Sequence, residues 1–328
     1  MGSLLPIVLL GAPRSGTTWL QNLLGADPRV ATPQETDLFT RYVEPVDAAW
    51  QWSLRGGADE WRARRFKGLP AVLTAEQFEA SVRTFVDGVF RAVAELKPTA
   101  DVVVEKSPSH SRLPELIAKY VPSVRFVHII RDGRDAAASV VAASQGWGAF
   151  WAPGSVGEAA RLWREHVDAA RAGRDLAPYL ELRYEALRGG EGPAYLRDAF
   201  AFCGIDIDEA EAKERLNTFR LSGENVTSLV FGGEAANRDG VGLEPDGFFG
   251  RGEQGGWHDW TLEEKVAFAS EAQELLETLG YESDERWLGE PARVRRVRRT
   301  QARRHTAGRV LRAAGSRLAR LGNKIGTR

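Results

Sequence analysis

The stretch that decides the fold is Leu4–Leu24, LLPIVLLGAPRSGTTWLQNLL, near the start of the chain. Its apolar run Leu4–Leu10 has the length of a buried strand and is too short to cross a membrane. A glycine-containing loop, GAPRSGTT, follows, and the apolar residues from Trp19 onward predict a helix. Strand, glycine loop and helix together form an anion-binding arrangement, because the loop N–H groups and the positive end of the helix dipole converge on one point.

The loop departs from the nucleotide-hydrolase pattern GxxxxGK[ST] at one informative position. Gly11 and Gly16 have the expected spacing, but Thr17 stands in place of the lysine that reaches the outer phosphates, and Arg14 is the cation inside the loop. A nucleoside triphosphate with magnesium therefore lacks its usual partner, and an adenosine nucleotide with a shorter anionic arm fits better. The alternative interpretation is a plain glycine turn that carries an incidental arginine.

Composition places the chain among ordinary globular proteins, with 328 residues, 43% hydrophobic and 27% charged. The net charge of -1 conceals a split, since residues 291–328 carry 13 basic and no acidic side chains while residues 1–290 carry 31 basic and 45 acidic ones. The single cysteine, Cys203, cannot form an internal disulfide, and we find neither a leader pattern nor an 18-residue apolar stretch. We therefore expect a cytoplasmic protein.

Short apolar strands alternate with amphipathic helices along the chain. After the first strand, the predicted strands are Val30–Thr32, Asp101–Glu105, Val124–Ile130 and Tyr179–Tyr184. Helix N-cap patterns at Thr74 and Thr261 predict helices over 75–96 and 261–279. This order predicts an α/β fold, a doubly wound parallel sheet flanked by helices. We expect a single domain over residues 1–288 and a basic tail over residues 289–328.

Cations follow two of the predicted strands directly. Lys106 comes after Asp101–Glu105, and Arg131 comes after Val124–Ile130. In parallel sheets ligands bind beyond the carboxyl ends of the strands, so both cations are placed where a ligand would lie. His128, inside an apolar strand, is interpreted instead as a core histidine.

Three segments resemble the sulfotransferases that use 3′-phosphoadenosine 5′-phosphosulfate (PAPS). PRSGTTW at Pro13–Trp19 resembles the family's 5′-phosphosulfate loop, RDGRDAAAS at Arg131–Ser139 its 3′-phosphate segment, and RGEQGGW at Arg251–Trp257 its final arginine-glycine loop. The resemblance covers most of residues 5–283, and its motifs are most similar to those of the heparan and tyrosylprotein branches. It implies that family's fold, PAPS as co-substrate and no metal. Gly252 stands where a lysine is frequent in that family.

The resemblance also implies a role for individual residues. Those implied to hold the 5′-phosphosulfate are Arg14, Ser15, Gly16, Thr17 and Thr18. Those implied for the 3′-phosphate are Arg131, Ser139, Arg251 and Gly252. Two aromatic side chains, Trp19 and Tyr184, are implied to contact the adenine.

The family uses either a glutamate or a histidine as the catalytic base. Glu35, in QETDLF, resembles the glutamate type, and His110, in EKSPSH, is the competing base. We favour Glu35, which would remove the proton of the attacking hydroxyl. Lys106 resembles the family's lysine beside the transferred group, and with Arg14 it would stabilise the charge on the leaving phosphate. The acceptor would be a hydroxyl of a small molecule, lipid or sugar, and Trp147, Phe150 and Trp151 either line its pocket or pack beneath the sheet.

Two rival functions stay open at this point. The first is a phosphate-loop kinase or NTPase, which would need ATP and magnesium. The second is a non-catalytic nucleotide sensor whose tail binds a membrane or a partner. Residues 309–321 of the tail have the pattern of a basic amphipathic helix, which suits an anionic membrane surface, an acidic partner or the acidic body of the chain. A solvated extension is the alternative, and nucleic-acid binding is disfavoured because the tail lacks aromatic residues for base stacking.

Overall fold

The computed structural model describes residues 4–55, 68–219 and 254–303. Within these residues five parallel strands form one sheet in the order β2-β3-β1-β4-β5. The strands are β1 Leu5–Leu10, β2 Val30–Ala31, β3 Val102–Lys106, β4 Arg125–Ile130 and β5 Tyr179–Arg183. Strands β3 and β2 lie on one side of β1, and strands β4 and β5 lie on its other side. The loop after β1 therefore lies at the switch point of the sheet, where α/β folds bind ligands.

Helices follow every strand. The helices with defined bounds are α1 Thr17–Gly25, α2 Glu44–Leu54, α3 Ala75–Glu95, α4 Pro114–Tyr120, α5 Gly133–Ser144, α6 Val156–Arg171, α7 Tyr184–Arg188, α8 Gly192–Phe202, α9 Glu209–Thr218 and α10 Leu262–Thr278. Residues 291–303 are also helical. A π-helical turn, Leu38–Val43, and a 3₁₀ turn, Pro108–Arg112, lie next to the ends of β2 and β3.

The strand β1 is buried on both faces, which explains its unbroken apolar sequence. Ile7 and Leu9 join a core built with α1, α7, α8 and α9. Val8 and Leu10 join a second core built with α2, α3 and α4. Because alternate side chains of one strand enter two different cores, helices cover both faces of the sheet. The prediction of an α/β fold with a doubly wound parallel sheet is confirmed.

Local signals place the starts of two helices where the sequence predicts them. Thr74 and Thr261 each form a capping box with the residue three positions on, Gln77 and Glu264 respectively. The first helix starts at Thr17, two residues before the predicted Trp19. Its start is displaced because the left-handed backbone of the preceding glycine lets the helix begin directly after the loop.

The chain divides into two compact units, Met1–Gly256 and Trp257–Arg328. The second unit has its own small apolar cluster, which includes Val266 of α10, Leu288 and Val294. The predicted division into residues 1–288 and 289–328 stays a prediction. The predicted amphipathic helix over 309–321 lies outside the described residues.

Candidate active site

The loop between β1 and α1 owes its shape to two residues with left-handed backbone. Arg14 has a φ of 69° and Gly16 a φ of 92°. A Cβ atom at position 16 would lie 2.5 Å from the ring of Tyr184, so only glycine lets the loop approach this tyrosine. At the other end, the N–H of Gly11 donates to Ser111 Oγ over 2.7 Å, and that hydroxyl donates to the Gly11 carbonyl over 3.0 Å. The left-handed residues 14 and 16 and the two hydrogen bonds between Gly11 and Ser111 thus fix the conformation of the loop.

A cavity of about 850 Å³ opens beyond the ends of β1, β3 and β4. This volume is in the usual range for small-molecule sites. Nine of the residues predicted for the site lie on its wall: Arg14, Gly16, Thr17, Thr18, Trp19, Glu35, Arg131, Ser139 and Tyr184. The aromatic side chains of Trp147, Phe150 and Trp151 also line the cavity, and their role toward an acceptor stays a prediction.

Lys106 is the centre of one polar cluster, directly behind the cavity wall. Its side chain is 2% exposed, and its Nζ donates to Thr18 Oγ1 over 3.0 Å and to Glu35 Oε1 over 2.5 Å. A buried ammonium group is costly unless an opposite charge and hydrogen bonds accompany it, and Glu35 supplies the charge. The Glu35 side chain is 45% exposed. The cluster therefore joins a cation, the anion loop and a carboxylate that is open to the cavity.

Arg14, Arg131 and Ser139 form a second cluster on the cavity wall. Arg14 Nε donates to Ser139 Oγ over 2.9 Å, and Arg131 Nη1 donates to the Arg14 carbonyl over 3.1 Å. The Arg131 guanidinium carbon lies 4.8 Å from the centre of the Tyr184 ring, and that of Arg14 lies 5.4 Å from the centre of the Trp147 ring. Both contacts are in cation–π range. The two arginines predicted to bind one ligand therefore share a single cleft.

His110 lies apart from the cavity. Its side chain is fully buried, and its Nε2 accepts the backbone N–H of Phe39 over 3.1 Å. Its Nδ1 faces Glu105 Oε1 at 3.4 Å. Burial lowers the pKa of His110 to about 4, and burial raises the pKa of Glu105 to about 7. The structure thus brings Glu35 and Lys106 together, whereas His110 is not among the residues that line the cavity.

The remaining predicted residues take different places. Ser15 is buried, and its backbone N–H donates within the loop to the Ala12 carbonyl over 3.1 Å. Trp19 is only 7% exposed and donates from Nε1 to the Phe219 carbonyl, so it offers the cavity an edge while most of its ring packs in the core. Arg251 and Gly252 lie outside the described residues.

Two acidic residues near the site were not predicted. Asp135 Oδ1 accepts the N–H groups of Gly255 and Gly256 over 2.8 and 3.1 Å, and burial raises its pKa. Glu105 binds the segment that carries Glu35. Each had a signal in the sequence, since Asp135 is the second aspartate of RDGRD and Glu105 is a charge at the end of the apolar run VVV.

Two further observations apply to residues 4–55, 68–219 and 254–303. None of their helices combines the length and apolar character needed to cross a membrane. Nor do their His, Cys, Asp and Glu side chains form a group of three or more suited to a metal ion.

A sequence profile described as the sulfotransferase family matches residues 6–209. The match covers more than half of the chain, and the chain therefore belongs to the sulfotransferase family. This confirms the family indicated by the sequence motifs.

Curated relatives show a similarity limited to part of their length. The chain is 26% identical over 138 residues to protein-tyrosine sulfotransferase 1 of Danio rerio, covering 42% of this chain and 36% of that protein. It is 25% identical over 138 residues to protein-tyrosine sulfotransferase 2 of Gallus gallus, covering 42% of this chain and 34% of that protein. The match thus spans about a third of the length of these relatives.

The chain also resembles solved structures of low sequence identity. Mouse sulfotransferase SULT7A1 in complex with PAP matches with a TM-score of 0.50 and 16% identity, covering 87% of this chain and 88% of that one. The sulfotransferase domain of the Synechococcus PCC 7002 olefin synthase matches with a TM-score of 0.47 and 19% identity, covering 86% of this chain and 97% of that one. At such low identity the comparison concerns the fold alone.

Proposed function

We propose that this protein transfers a sulfuryl group from PAPS to a hydroxyl group of a small-molecule, lipid or carbohydrate acceptor. The observation that carries the proposal is the position of Lys106 Nζ, which is hydrogen-bonded to both Thr18 of the anion loop and Glu35. This geometry aligns an anion-binding loop, a fixed cation and a carboxylate along one side of a cavity. Membership of the sulfotransferase family supports the same reaction.

The cavity suits a nucleotide that carries two separate anions. The start of α1 with Thr17 and Thr18, backed by Lys106, suits the 5′-phosphosulfate. The cluster of Arg131 and Ser139 suits the 3′-phosphate, because a guanidinium group binds phosphate oxygens through several donors. The left-handed Gly16, where a Cβ would lie 2.5 Å from the Tyr184 ring, lets the loop pass close to this aromatic side chain of the cavity wall. When bound, PAPS supplies a sulfuryl group attached to a phosphate leaving group.

The residues of the cavity then have distinct tasks in sulfuryl transfer. Glu35 accepts the proton of the acceptor hydroxyl as its oxygen forms a bond to sulfur, a contribution of about 10²–10⁴ in rate. Lys106 and the loop N–H groups stabilise the negative charge that grows on the phosphate oxygen as its bond to sulfur breaks. Arg14 adds a second cation from the loop, and the aromatic side chains of Trp147 and Trp151 hold the acceptor.

Geometry favours Glu35 over His110 as the base. A base needs a lone pair within reach of the attacking hydroxyl. The Nε2 lone pair of His110 already accepts the Phe39 N–H, and the ring is fully buried. Glu35 is exposed to the cavity and fixed on one side by Lys106.

The basic residues 291–328 supply a separate proposal about location. Their 13 basic side chains suit contact with an anionic membrane surface or an acidic partner, while the catalytic unit itself works in the cytoplasm. No nucleic acid is required for this reaction.

Transfer of labelled sulfuryl groups from PAPS to a panel of phenols, alcohols and sugars tests the function. We expect Glu35→Gln to lower kcat by about 10²–10⁴, whereas His110→Gln, corrected for its folded fraction, keeps kcat. Full activity of Glu35→Gln would reject Glu35 as the base. Calorimetry with 3′,5′-adenosine bisphosphate should show binding without magnesium, and binding of ATP only in the presence of magnesium would indicate the kinase alternative instead.

A further inference from the structure

Two consecutive residues at the end of β3 hold the segment that carries Glu35. Successive side chains of a strand point to opposite faces, and here the side chains on both faces contact this segment. Lys106 Nζ binds the carboxylate of Glu35, and Glu105 Oε1 accepts the hydroxyl of the next residue, Thr36, over 2.8 Å. Glu105 is 1% exposed. Because the desolvation of a carboxylate is costly, we expect the burial of Glu105 to be compensated by hydrogen bonds.

Two hydroxyl groups connect Glu105 to the backbone after Glu35. Thr36 Oγ1 donates to Glu105 Oε1 and accepts the N–H of Leu38 over 3.0 Å. Ser107 Oγ donates to the same Oε1 over 3.1 Å and accepts the N–H of Asp37 over 3.0 Å. Since each hydroxyl proton is directed at Glu105, the lone pair of each hydroxyl is left for a backbone N–H. Glu105 Oε1 thereby orients both hydroxyls toward the segment 36–38.

Asp37 shows why this segment needs an anchor. Its φ of 50° lies in the left-handed region, which costs free energy for a residue other than glycine. Its backbone N–H is held by Ser107 Oγ and its Oδ1 accepts from Ser109 Oγ over 3.1 Å. Ser107 and Ser109, which follow β3, therefore hold the turn at Asp37 that lies next to Glu35.

His110 lies close to the same oxygen, but its Nδ1 makes no hydrogen bond in the structure. Because its Nε2 accepts the Phe39 N–H, the neutral ring carries its proton on Nδ1, which faces Glu105 Oε1 at 3.4 Å. Two donors, the hydroxyls of Thr36 and Ser107, thus hydrogen-bond to Oε1 of Glu105.

We propose that Glu105 is a positioning residue that holds the segment 36–38 against the end of β3 and so keeps the Glu35 carboxylate on Lys106. The role rests on the proposed function, in which Glu35 is the base. The essential property of Glu105 is an acceptor oxygen at Oε1. The charged groups around it are Lys106, Glu35 and, if protonated, His110, and the raised pKa of Glu105 shows that burial outweighs the stabilisation from Lys106 and the hydroxyls.

A pair of near-isosteric variants separates this role from a general contribution to stability. Glu105→Gln keeps an oxygen at the Oε1 position, and Glu105→Met fills the same space without an acceptor. We expect Glu105→Gln to keep kcat within about threefold. Glu105→Met should lower kcat by about tenfold to a hundredfold at unchanged KM for PAPS, because a displaced base loses its alignment while the donor site stays intact. Equal kcat in the folded Met variant and the wild type, or equal losses in both variants, overturns the proposal.

A second pair of variants tests the proposal if Glu105→Met fails to fold. The test variant is Thr36→Val, and Thr32→Val is its control. Both threonines donate their hydroxyl to β3, Thr36 to Glu105 and Thr32 to the Val104 carbonyl. Only Thr36→Val should lower kcat. Crystal structures of these variants supply a readout without an acceptor: the Glu35–Lys106 contact should be lost in Thr36→Val and kept in Thr32→Val. An intact contact in Thr36→Val overturns the positioning role, whereas a wild type that transfers no sulfuryl group contradicts the proposed function alone.

Discussion

Arg14 and Ser139 are 125 residues apart in the sequence and are joined by a 2.9 Å hydrogen bond from Nε to Oγ. The family resemblance implies that they hold opposite ends of the donor, the arginine its 5′-phosphosulfate and the serine its 3′-phosphate. Arg131 also donates to the Arg14 carbonyl, so both the backbone and the side chain of Arg14 are tied to the predicted 3′-phosphate segment. This position suits Arg14 to bind the 3′-phosphate as well.

We therefore expect Arg14→Ala to weaken binding of 3′,5′-adenosine bisphosphate by about tenfold to a hundredfold, which corresponds to one hydrogen bond with a charged group. Binding of 5′-AMP, which lacks the 3′-phosphate, should change by less than about threefold. Calorimetry with both nucleotides measures the difference. Ser144→Ala is the control, since Ser144 lies on α5 together with Ser139 and donates its hydroxyl to the Val141 carbonyl. Equal losses for both nucleotides would assign Arg14 to the 5′ side alone.

Lys106 and Glu35 should behave as one unit in catalysis. Lys106→Met removes the cation behind the loop and also frees the Glu35 carboxylate from its partner, so we expect a large fall in kcat. In the double variant Lys106→Met/Glu35→Gln the fall should be smaller than the product of the two single effects, because residues that act together are not additive. Transfer rates at saturating PAPS give the comparison, and multiplicative effects would show that the 2.5 Å contact has no catalytic consequence.

Two glycines offer opposite outcomes for the same substitution. Gly16→Ala places a Cβ 2.5 Å from Tyr184 at a φ of 92°, so we expect a loss of about 1–3 kcal/mol in the free energy of unfolding and weaker nucleotide binding. Gly88, inside α3, has no atom within 4 Å of an added Cβ. Gly88→Ala should therefore stabilise the protein by about 0.5–1 kcal/mol and leave binding unchanged. Denaturant unfolding and calorimetry measure both, and a stable, nucleotide-binding Gly16→Ala would contradict the close approach.

The sequence predicts those parts of the site that depend on local pattern. The apolar run of β1, the glycines of its loop and the caps at Thr74 and Thr261 act over a few residues, and each is found where the sequence places it. The cations at the end of β3 and directly after β4 follow from the rule that parallel sheets bind ligands beyond their carboxyl ends. Family membership then follows from three motifs in order.

The contacts between segments could not be predicted in this way. The pairing of Leu9 with Lys106 and of Leu10 with His128 sets which side chains meet at the end of the sheet. A shift of one residue would turn Lys106 to the opposite face, and local patterns do not fix such a register. The hydrogen bonds from Arg14 to Ser139 and from Thr36 to Glu105 depend on this register. The roles of Arg251 and Gly252 stay predictions.

His128, interpreted from its apolar strand as a core residue, makes stability depend on pH. It is fully buried in β4, its Nδ1 lies 2.5 Å from the Tyr179 hydroxyl, and burial lowers its pKa to about 3 from an ordinary value of 6.5. The unfolded chain thus binds a proton near pH 6.5 that the folded chain excludes until about pH 3, so stability present above pH 6.5 is lost as the pH falls through this window. At pH 5 the loss from this group is about 2 kcal/mol.

We expect His128→Leu/Tyr179→Phe to lose about 2 kcal/mol less of its free energy of unfolding than Tyr179→Phe between pH 7 and pH 5, as measured by denaturant unfolding. Both proteins retain His110 and His166, whose lowered pKa values give them the same sign, so their contributions cancel. Parallel pH profiles of the two variants would show that His128 titrates normally in the folded protein.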